Sequence, residues 1–596
     1  FDFLGLKTLT IIKNAIDLIR DRGLEIDINN IPLDDPITFK LYASAKTVAV
    51  FQVESTGMRD ALTQLKPTCI EDIIALVALY RPGPMENIPK FCAVKNGSEV
   101  REKIHPLIDE ILDETQGIIV YQEQVMEIAR KMAGYSLGGA DLLRRAMGKK
   151  IKVAMDAEKP KFLNGSLKNN VNKKTAVKVW DLLEKFANYG FNKSHAAAYG
   201  VVSYQTAWLK ANHPVEFMAA AMNCDIHLTD KLSLYKQEID NLSLVLIPPC
   251  INRSKPYFSV ADGKLFYALG AIKNIGINAM DQIVRIRNDG GIFKDIFDFS
   301  RRIDLRRLGK RPLEMLIRSG ALDCLNQNRQ VLFLSIEVLV AYSSTVFDEM
   351  DSKQTNLFGT VSESVPPPRL KVLEDWKFAE RLREEYQAVG LYLSGHPVDE
   401  YLPYFKEHNV SIFSNLSRDE LQSTKIVNIA GVITGKQERK STRGHRFAFL
   451  QLSDPGGIFE ATAFSDVLER NRNCFEIGKI LSLVCEIKLE GEQTKIQIRG
   501  VLPIEKLMEK SEVLQYRVFI DSVEGVKFLA SRLNKCSEEQ NVQKGLMTIV
   551  IVNRDLPGDV EISLADSYVL KPEIIGAIKH SKDIIHIDRL GNGSPN

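Results

Sequence analysis

The segment FANYGFNKSHAAAYGVVSYQTAWLK, residues 186–210, says most about the fold of this chain. Its run of small residues predicts a helix, with Ser194 as the N-terminal cap. Polar residues recur at steps of four, four, three and four and form one stripe: His195, Tyr199, Ser203, Thr206 and Lys210. Such a stripe suits stacking on a base and contact with phosphates. The alternative is a core helix whose polar groups are satisfied internally.

The composition indicates several domains in a soluble protein. The chain has 596 residues and a formal net charge of only +2, so any nucleic-acid surface must be local. The 8 cysteines include no C-x-x-C pair, which indicates neither a zinc site nor a disulfide framework and favours a reducing cytoplasm. No apolar run is long enough to span a bilayer. The missing initiator Met predicts that the chain begins inside a larger protein.

Apolar periodicity predicts a helical first half and a mixed second half. Helical spacing occurs in EDIIALVALY (71–80), QEQVMEIARKMAG (122–134) and KTAVKVWDLLEKFANYG (174–190). From about Lys425 to Val501 the pattern changes to short alternating strands, with turns at DPGG (454–457) and EGEQ (490–493). Strands and helical runs mix from about Tyr516. The polar, Pro-rich segment 351–371 predicts a linker.

A basic segment precedes the 186–210 helix. Residues 131–174 hold eleven Lys or Arg and three acids, a local excess of eight positive charges. Helical spacing places Arg145, Lys149 and Lys152 on one face with Arg144 beside them. Such a row suits a triphosphate or a DNA backbone, because it concentrates cationic donors for phosphate oxygens. The alternative is a solvated face on which Asp141 and Arg145 form an ordinary ion pair.

Seven stretches together resemble one family, the alpha subunit of bacterial DNA polymerase III, the C-family replicative polymerase. They follow the family's order: FDFLGLKTLT (1–10), TVAVFQVESTGM (47–58), IALVALYRPGP (74–84), GIIVYQEQVMEIA (117–129), GYSLGGADLLRRAMGKK (134–150), the 186–210 segment and GLYLSGHP (390–397). The resemblance covers essentially the whole chain and corresponds to the family's C-terminal half. The PHP domain, most of the palm and the thumb have no counterpart, so we expect the isolated chain to be inactive.

The resemblance implies roles for individual residues. Asp2 matches the family's last catalytic aspartate and is expected to bind Mg²⁺, two ions of which act in the complete enzyme. The alternative for Asp2 is a surface position on a frayed terminus. Residues implied to line the incoming dNTP are Arg144, Arg145, Lys149, Lys150, Lys193, His195 and Tyr199. YRPGP (80–84) is either a structural turn or a contact.

Downstream segments resemble DNA-binding modules. YALGAIKNIGINAMDQIVRIR (267–287) resembles a helix-hairpin-helix, with Gly270 and Gly276 flanking a hairpin that holds Lys273 and Asn274. The basic run 301–311 either extends that surface or is solvated. The strands from 425 to 501 suggest a five-stranded OB-fold for single-stranded template. Its first hairpin is basic, and Phe447 with Phe449 either stacks on bases or joins the core, the latter slightly favoured.

Two protein partners are also implied. QTNLF in the linker resembles a sliding-clamp-binding peptide, in which Gln354 contacts the pocket rim while Leu357 and Phe358 fill the pocket. The region after about Tyr516 resembles the domain that binds the tau subunit of the clamp loader.

The predicted fold class is multidomain α+β: mainly helical fingers, a helix-hairpin-helix region, a β-barrel OB-fold and a small α/β C-terminal domain. The predicted boundaries are a last palm strand at 1–10, fingers at 8–225, helix-hairpin-helix region at 226–345, linker with clamp peptide at 346–370, helical connector at 371–420, OB-fold at 421–505 and tau-binding-like domain at 515–596. The implied function is template-directed DNA synthesis from dNTPs on primer-template DNA, in the cytoplasm and without a membrane partner. One alternative is a non-catalytic DNA- and clamp-binding module. A second is the family's error-prone paralogue, but the clamp peptide and the long C-terminal region argue against it. A third is an OB-fold enzyme such as a tRNA synthetase, but the nucleotide-binding signatures of synthetases are absent and the fingers motifs argue against it.

Overall fold

A computed structural model gives the structure of the chain over most of its length. The structure describes residues 5–148, 152–186, 190–351, 365–405, 408–416, 425–441, 444–490, 493–504, 514–533, 544–552, 558–570, 572–579, 581 and 583–590. The chain divides into two compact units. The first comprises Phe1–Asp225, Glu238–Leu244 and Val260–Leu265, and the second comprises Ile226–Gln237, Val245–Ser259 and Phe266–Asn596.

The first unit is built from helices, as the apolar spacing predicts. Its α-helices are Lys7–Arg20, Pro36–Ala43, Thr56–Leu65, Ile70–Leu79, Ile88–Lys95, Pro106–Asp109, Gln122–Ala133, Leu137–Gly148, Lys152–Lys168, Lys173–Phe186, Lys193–Asn212 and Pro214–Cys224. Each of the three segments with helical spacing coincides over most of its length with one of these helices, because each helix buries an apolar face.

Two apolar cores hold the first unit together. One contains Phe39, Tyr42, Leu76 and Tyr204, and it packs the helix Lys193–Asn212, here called the long helix, against its neighbours. The other core surrounds the buried Trp180 and lies beneath the basic segment. Close packing in the first core requires a glycine at position 200, since a Cβ there would lie 2.6 Å from Cγ1 of Ile74.

After Asp225 the chain forms a helix, Thr229–Asn241, and three short strands, Leu246–Ile247, Ser259–Ala261 and Lys264–Phe266. The second unit then continues with helices before its barrel: Ile277–Gly290, Ile296–Arg302, Leu305–Leu308, Lys310–Arg318, Arg329–Leu334, Ile336–Asp351, Phe378–Val389 and Leu402–Phe405. The polar, Pro-rich segment 351–371 starts at the last residue of the helix Ile336–Asp351, so the predicted linker boundary at 346 falls within that helix. Residues 352–364 lie outside the described residues.

Five strands form the barrel of the second unit, and they pair antiparallel except where the third strand meets the fifth in parallel. The barrel strands are Lys425–Lys440, Arg446–Asp454, Gly457–Ala463, Ile480–Glu490 and Gln493–Pro503, with the helix Ser465–Arg470 between the third and fourth. The first strand pairs with both the second and the fourth, and the fifth pairs with the third and the fourth, which closes the sheet. Val410–Ser411 adds to the first strand. The predicted turn at DPGG joins the second and third strands.

The last part of the second unit is a small mixed sheet with two helices. Its strands are Leu514–Ile520, Lys544–Ile551, Val560–Ser563, Tyr568–Val569 and His586–Leu590, and its helices are Val523–Arg532 and Pro572–Lys579. The strands Leu514–Ile520 and Lys544–Ile551 pair in parallel. Alternate residues of the first strand, Tyr516, Val518 and Ile520, enter the core, as the alternation in YRVFI predicts.

Candidate functional site

The N-terminal end of the long helix is capped by Asn192. The Asn192 side chain accepts the N–H of His195 at 2.8 Å, so the prediction that Ser194 is the cap is wrong. Asn and Ser serve this role about equally well, and here the helix begins two residues earlier than expected. The amide of Asn192 also donates to Glu123 at 2.8 Å, which joins the cap to the neighbouring helix.

Four aromatic rings and a guanidinium form a continuous row at this end of the helix. The ring of His195 lies 4.4 Å from that of Tyr199 and 5.4 Å from that of Phe191, measured between centroids. Tyr199 continues the row to Phe51 at 5.2 Å, and the guanidinium of Arg81 lies over Phe191 at 4.1 Å. Phe191, His195 and Tyr199 are half-buried, so part of each ring remains open to a stacking partner.

The polar stripe predicted along the long helix divides into two parts. Ser203, Thr206 and Lys210 are buried, with side chains paired inside the core. Their partners are the hydroxyl of Tyr42 at 3.0 Å, the N–H of Phe51 at 3.1 Å and the carboxylate of Glu238 at 2.5 Å, respectively. The core alternative is therefore correct for these three residues, while His195 and Tyr199 keep exposed surface.

The two arginines of the basic segment share one carboxylate. Arg144 donates to Asp141 at 2.7 and 2.9 Å, and Arg145 contacts the other oxygen of Asp141 at 2.8 Å. The hydrogen bond from Arg144, together with the charges of both arginines, lowers the pKa of Asp141. Arg144 also donates to Gln122 at 2.9 Å, and the N–H of Gln122 donates to the carbonyl of Phe191 at 2.9 Å. The structure therefore brings Arg144 and the start of the long helix into one neighbourhood.

Lys193 belongs to the same neighbourhood but is already paired. Its ammonium donates to both carboxylate oxygens of Glu114 at 2.6 and 2.8 Å and lies 5.5 Å from the ring centroid of Tyr121. Its backbone N–H donates to Glu123 at 2.9 Å. The side chains of Lys193 and Arg145 are 43% and 64% exposed, so a phosphate can reach both by displacing a carboxylate held in high-dielectric surroundings.

The three residues Asp2, Lys149 and Lys150, predicted to bind metal or dNTP, lie outside the described residues. Within the part of the chain that the structure describes, no group of three or more His, Cys, Asp or Glu side chains is arranged to hold a metal ion. The described residues therefore supply no metal centre of their own.

The predicted hairpin lies before the helix Ile277–Gly290. Gly270 is required there, since a Cβ would lie 2.7 Å from the carbonyl of Pro256. Asn274 is exposed and adopts a left-handed conformation with φ of +60°, and the exposed Gly276 begins the helix without a side-chain cap. No side chain therefore caps this helix end, where the N–H of Ala279 donates to the carbonyl of Gly276 at 3.1 Å.

Lys273 of the hairpin faces the protein. Its N–H donates to the carbonyl of Ala388 at 2.8 Å, and its ammonium lies 5.7 Å from the ring centroid of Tyr386. Burial lowers the pKa of Lys273. The ammonium of Lys273 is therefore partly engaged by its contact with the ring of Tyr386.

The basic run 301–311 is internally paired. Arg302 donates to the carbonyls of Ile286 and Gly291, and the other cations contact acidic or hydroxyl side chains. These pairs are Arg301 with Tyr342, Arg306 with Asp304 and Asp348, Arg307 with Asp304, Lys310 with Glu337, and Arg311 with Glu314. The cations of this run therefore mainly stabilise the packing of their own helices and do not form an open cationic surface.

The outer face of the barrel carries an aromatic cluster. Phe447 and Phe449 lie on the second strand with ring centroids 5.4 Å apart, while the intervening Ala448 is buried. The slightly favoured prediction that these two phenylalanines belong to the core is therefore wrong, because alternation places them on the side opposite to the core. The 44%-exposed Phe464 lies 6.3 Å from Phe447, and the guanidinium of Arg439 lies 5.4 Å from the Phe449 centroid.

Several residues of these sites were not predicted from the sequence. Arg81, Phe191 and Gln122 are in this group, and so are Arg439 and Phe464 beside the barrel. Arg81 lies in YRPGP, where the turn residues offered no indication of an aromatic partner more than a hundred positions away. Alternation in RFAFLQL could have identified the outward face of the barrel strand.

Comparison with known proteins identifies three modules in the chain. The family model described as the bacterial DNA polymerase III alpha subunit finger domain matches residues 8–170. A helix-hairpin-helix motif matches residues 243–332, and an OB-fold nucleic acid binding domain matches residues 427–504. These matches define a multidomain protein with a polymerase finger domain, a helix-hairpin-helix motif and an OB-fold, and the predicted fold class is confirmed.

Curated relatives give the family. The chain is 41% identical to the DNA polymerase III subunit alpha of Caulobacter vibrioides over 97% of this chain and 50% of that protein. It is 38% identical to the protein of the same name from Rickettsia prowazekii over 96% of this chain and 51% of that protein, and 40% identical to that of Vibrio cholerae over 86% and 45%. The chain belongs to the bacterial DNA polymerase III alpha subunit family, and it spans about half the length of the curated relatives it matches.

None of the helices that the structure describes is both long enough and apolar enough to cross a membrane. The predicted clamp peptide, with Gln354, Leu357 and Phe358, lies outside the described residues.

Proposed function

We propose that this chain is part of the catalytic subunit of a replicative DNA polymerase, which adds deoxynucleotides to a primer as a template directs. One observation carries the proposal. A chain with a polymerase finger domain brings Arg144, Lys193, His195 and Tyr199 together at one half-exposed corner of its first unit.

This corner suits an incoming deoxynucleoside triphosphate. Arg144, Arg145 and Lys193 offer cationic donors to phosphate oxygens, and Lys149 and Lys150 follow directly in the sequence. The open edges of His195 and Tyr199 offer a surface for the base, with Arg81 increasing the positive charge at the other end of the row. Asp141 and Glu114 hold the cations in place until phosphate takes over their hydrogen bonds.

Metal binding is assigned to Asp2, which lies outside the described residues. Mg²⁺, when bound, would stabilise charge on the reacting phosphates, and Asp2 is the proposed ligand.

The second unit is proposed to hold DNA. The uncapped helix N-terminus at Gly276, with Asn274 exposed beside it, suits a backbone phosphate without reading sequence. The barrel face with Phe447, Phe449 and Phe464 suits single-stranded template, because every base offers a face for stacking. Arg439 supplies a cation beside those rings.

Further partners complete the proposal. The peptide QTNLF is proposed to bind the sliding clamp, and the small C-terminal sheet domain is proposed to bind the tau subunit of the clamp loader. Such a protein would work in the cytoplasm, where the chromosome is copied.

A chimera provides the test of activity. The part of the Caulobacter vibrioides relative that this chain does not match is joined to this chain, and primer extension is measured with Mg²⁺ and all four dNTPs. Template-dependent extension is expected, with complete loss in the Asp2→Asn variant and unchanged thermal stability. A chimera that binds primer-template DNA but never extends it would favour the alternative, a DNA- and clamp-binding module without catalysis.

A second measurement tests the corner itself. In the chimera, Lys193→Ala and Arg145→Ala should each raise the KM for dNTP about tenfold or more, because each removes a charge-assisted phosphate contact. Lys178→Ala is the matched control, since Lys178 is equally exposed but pairs with Glu102 on the surface. An equal effect of all three substitutions would contradict the assignment.

A further inference from the structure

The segment 250–257, here called the anchored loop, is fixed from the interior of the second unit. The buried guanidinium of Arg287 donates to the carbonyl of Ser254 at 2.7 Å. The side-chain amide of Asn252 donates to the carbonyl of Phe293 and accepts the N–H of that residue, both at 2.8 Å. A loop held in this way is preorganised, so little conformational entropy is lost when a ligand binds to it.

Side chains of the anchored loop alternate between the interior and the solvent. Ser254 and Pro256 are buried, while the residue between them and the residues on either side are exposed. The exposed residues, here called the loop face, are Arg253, Lys255 and Tyr257. Tyr257 is 51% exposed although it is a large aromatic residue. The loop therefore presents two cations and a phenol to the solvent, a combination that suits phosphate groups.

The two cations of the loop face have no acidic partner among the residues that the structure describes. The guanidinium of Arg253 lies over the ring of Phe266, 4.8 Å from its centroid, and this contact holds it in place. Lys310 of the basic run, by contrast, pairs with Glu337 at 2.9 Å. A phosphate can therefore bind Arg253 and Lys255 without displacing a carboxylate.

The anchored loop is bonded directly to the start of the predicted DNA-binding hairpin. The N–H of Leu269 donates to the carbonyl of Lys255 at 3.0 Å. The N–H of Gly270, where the hairpin begins, donates to the carbonyl of Pro256 at 3.0 Å. Asn274 within the hairpin is exposed. The loop face therefore lies beside the hairpin that is proposed to hold DNA phosphates, and its positive charge complements them.

We propose that the loop face binds the phosphate backbone of duplex DNA next to the hairpin, an assignment that rests on the proposed DNA binding of the second unit. Arg253 and Lys255 each neutralise one phosphate, and the hydroxyl of Tyr257 donates to a phosphate oxygen. These contacts carry no sequence information, so they fix the position of the duplex on the hairpin and add affinity for any sequence. The continuity of the loop face with the hairpin favours DNA over an acidic protein segment as the occupant.

Equilibrium binding of a fluorescent duplex to the full chain tests the site, with salt varied between about 50 and 200 mM. Arg253→Ala/Lys255→Ala should lower the affinity about tenfold at about 100 mM salt, because two phosphate contacts are lost. The slope of the logarithm of affinity against the logarithm of salt concentration should become shallower by about 0.9 for each lost contact. Tyr257→Phe should lower the affinity about threefold without changing the slope, because the hydroxyl that it removes is uncharged.

Two further variants separate a phosphate contact from a change in net charge. Lys310→Ala/Arg311→Ala removes the same charge from side chains that are 61% and 63% exposed but paired with carboxylates, and it should change the affinity less than about twofold. Arg253→Lys/Lys255→Arg keeps both charges and should keep the salt slope of the parent. Thermal unfolding checks the folding of each variant, and it should not change, because the substituted side chains are exposed.

The outcomes distinguish the loop face from the function on which it rests. A parent chain that binds no duplex DNA would contradict DNA binding by the second unit and, with it, the loop face. A parent chain that binds the duplex, together with an Arg253→Ala/Lys255→Ala variant that behaves like the Lys310→Ala/Arg311→Ala control, would overturn the loop face alone. An acidic protein segment would then be the better candidate for its occupant.

Discussion

The ammonium of Lys210 donates to the carboxylate of Glu238 at 2.5 Å and is itself almost fully buried. It also donates to the carbonyl of Val48 at 2.7 Å. Burial lowers the pKa of Lys210 to about 8 although Glu238 opposes that shift, so the lysine is still charged at neutral pH. The buried charge of Lys210 is therefore stabilised by Glu238, and removing either side chain leaves the other without its partner.

Replacing one partner of this pair should destabilise the first unit. Glu238→Gln leaves a buried cation without its counter-charge, and a loss of about 3–5 kcal/mol in the free energy of unfolding is expected at pH 7. The pKa of Lys210 in the folded variant then falls further. Lys210 is therefore less protonated in the folded variant than in the unfolded chain. The deficit relative to the parent should shrink as pH rises to about 8, the pKa of Lys210 in the parent, and level off above it, because Lys210 is then neutral in both folded proteins.

Chemical denaturation of the full chain at several pH values measures this effect. The double variant Lys210→Met/Glu238→Leu is the comparison, and it should be more stable than Glu238→Gln because no charge is left buried. A Glu238→Gln protein as stable as the parent would mean that the pair contributes nothing.

His396 should make the second unit sensitive to acid. Its Nε2 lies 2.7 Å from the hydroxyl of Ser453 and its Nδ1 accepts the N–H of Val398 at 3.2 Å, so the proton of the neutral ring is on Nε2. Burial lowers the pKa of His396 to about 3, against about 6.5 in an unfolded chain. The unfolded state binds the proton first, so this contribution to stability is complete above about pH 6.5 and is lost progressively as pH falls toward 3.

Thermal unfolding between pH 7 and 4 tests this expectation. His396 alone should lower the free energy of unfolding of the parent by about 1.4 kcal/mol for each pH unit of acidification. The His396→Gln variant should lack this part of the pH dependence and keep the rest. If the variant and the parent lose stability with the same slope, His396 is not the group responsible.

Single-stranded DNA should bind the aromatic face of the barrel. Phe447→Ala/Phe449→Ala removes two stacking rings, each worth about 1–3 kcal/mol, while leaving the core on the other side of the sheet intact. Fluorescence anisotropy with an oligo-dT probe should show at least a fivefold loss of affinity, about 1 kcal/mol. Ile477→Ala is the control, since Ile477 is also exposed, at 69%, and lies outside the aromatic cluster.

Duplex DNA should bind largely through its backbone. The hairpin before the helix Ile277–Gly290 offers N–H groups to phosphates and no element shaped to read bases. The affinity should therefore fall steeply between 50 and 200 mM salt, with the same slope for unrelated sequences, in equilibrium titrations of the full chain. A marked preference for one duplex sequence would contradict this interpretation.

The clamp contact should be concentrated in two side chains. Leu357→Ala/Phe358→Ala should abolish clamp binding measured by surface plasmon resonance, because buried apolar anchors dominate such peptide interfaces. Binding to DNA alone should not change. Gln354→Ala should weaken clamp binding less than the double substitution does, and normal clamp binding by the double variant would rule the motif out.

The sequence by itself determined the modules and much of the secondary structure. Apolar residues at helical spacing identified the helices around Val125 and Trp180, and strict alternation identified strands such as Leu514–Ile520. Such patterns are readable because each element buries one face whatever its partner is. Long motifs such as the 186–210 segment identified the family, which the comparisons confirm.

Only the tertiary structure decided which polar and aromatic residues face solvent. Lys210 and His195 occupy one predicted stripe, yet the first is buried against Glu238 and the second remains half-exposed beside Phe191. Phe447 and Phe449 look like core residues until the closed barrel places them outside. The spacing of polar and apolar residues cannot show whether a given side chain is buried. Burial depends on partners that lie far away in the sequence and that the fold brings into contact.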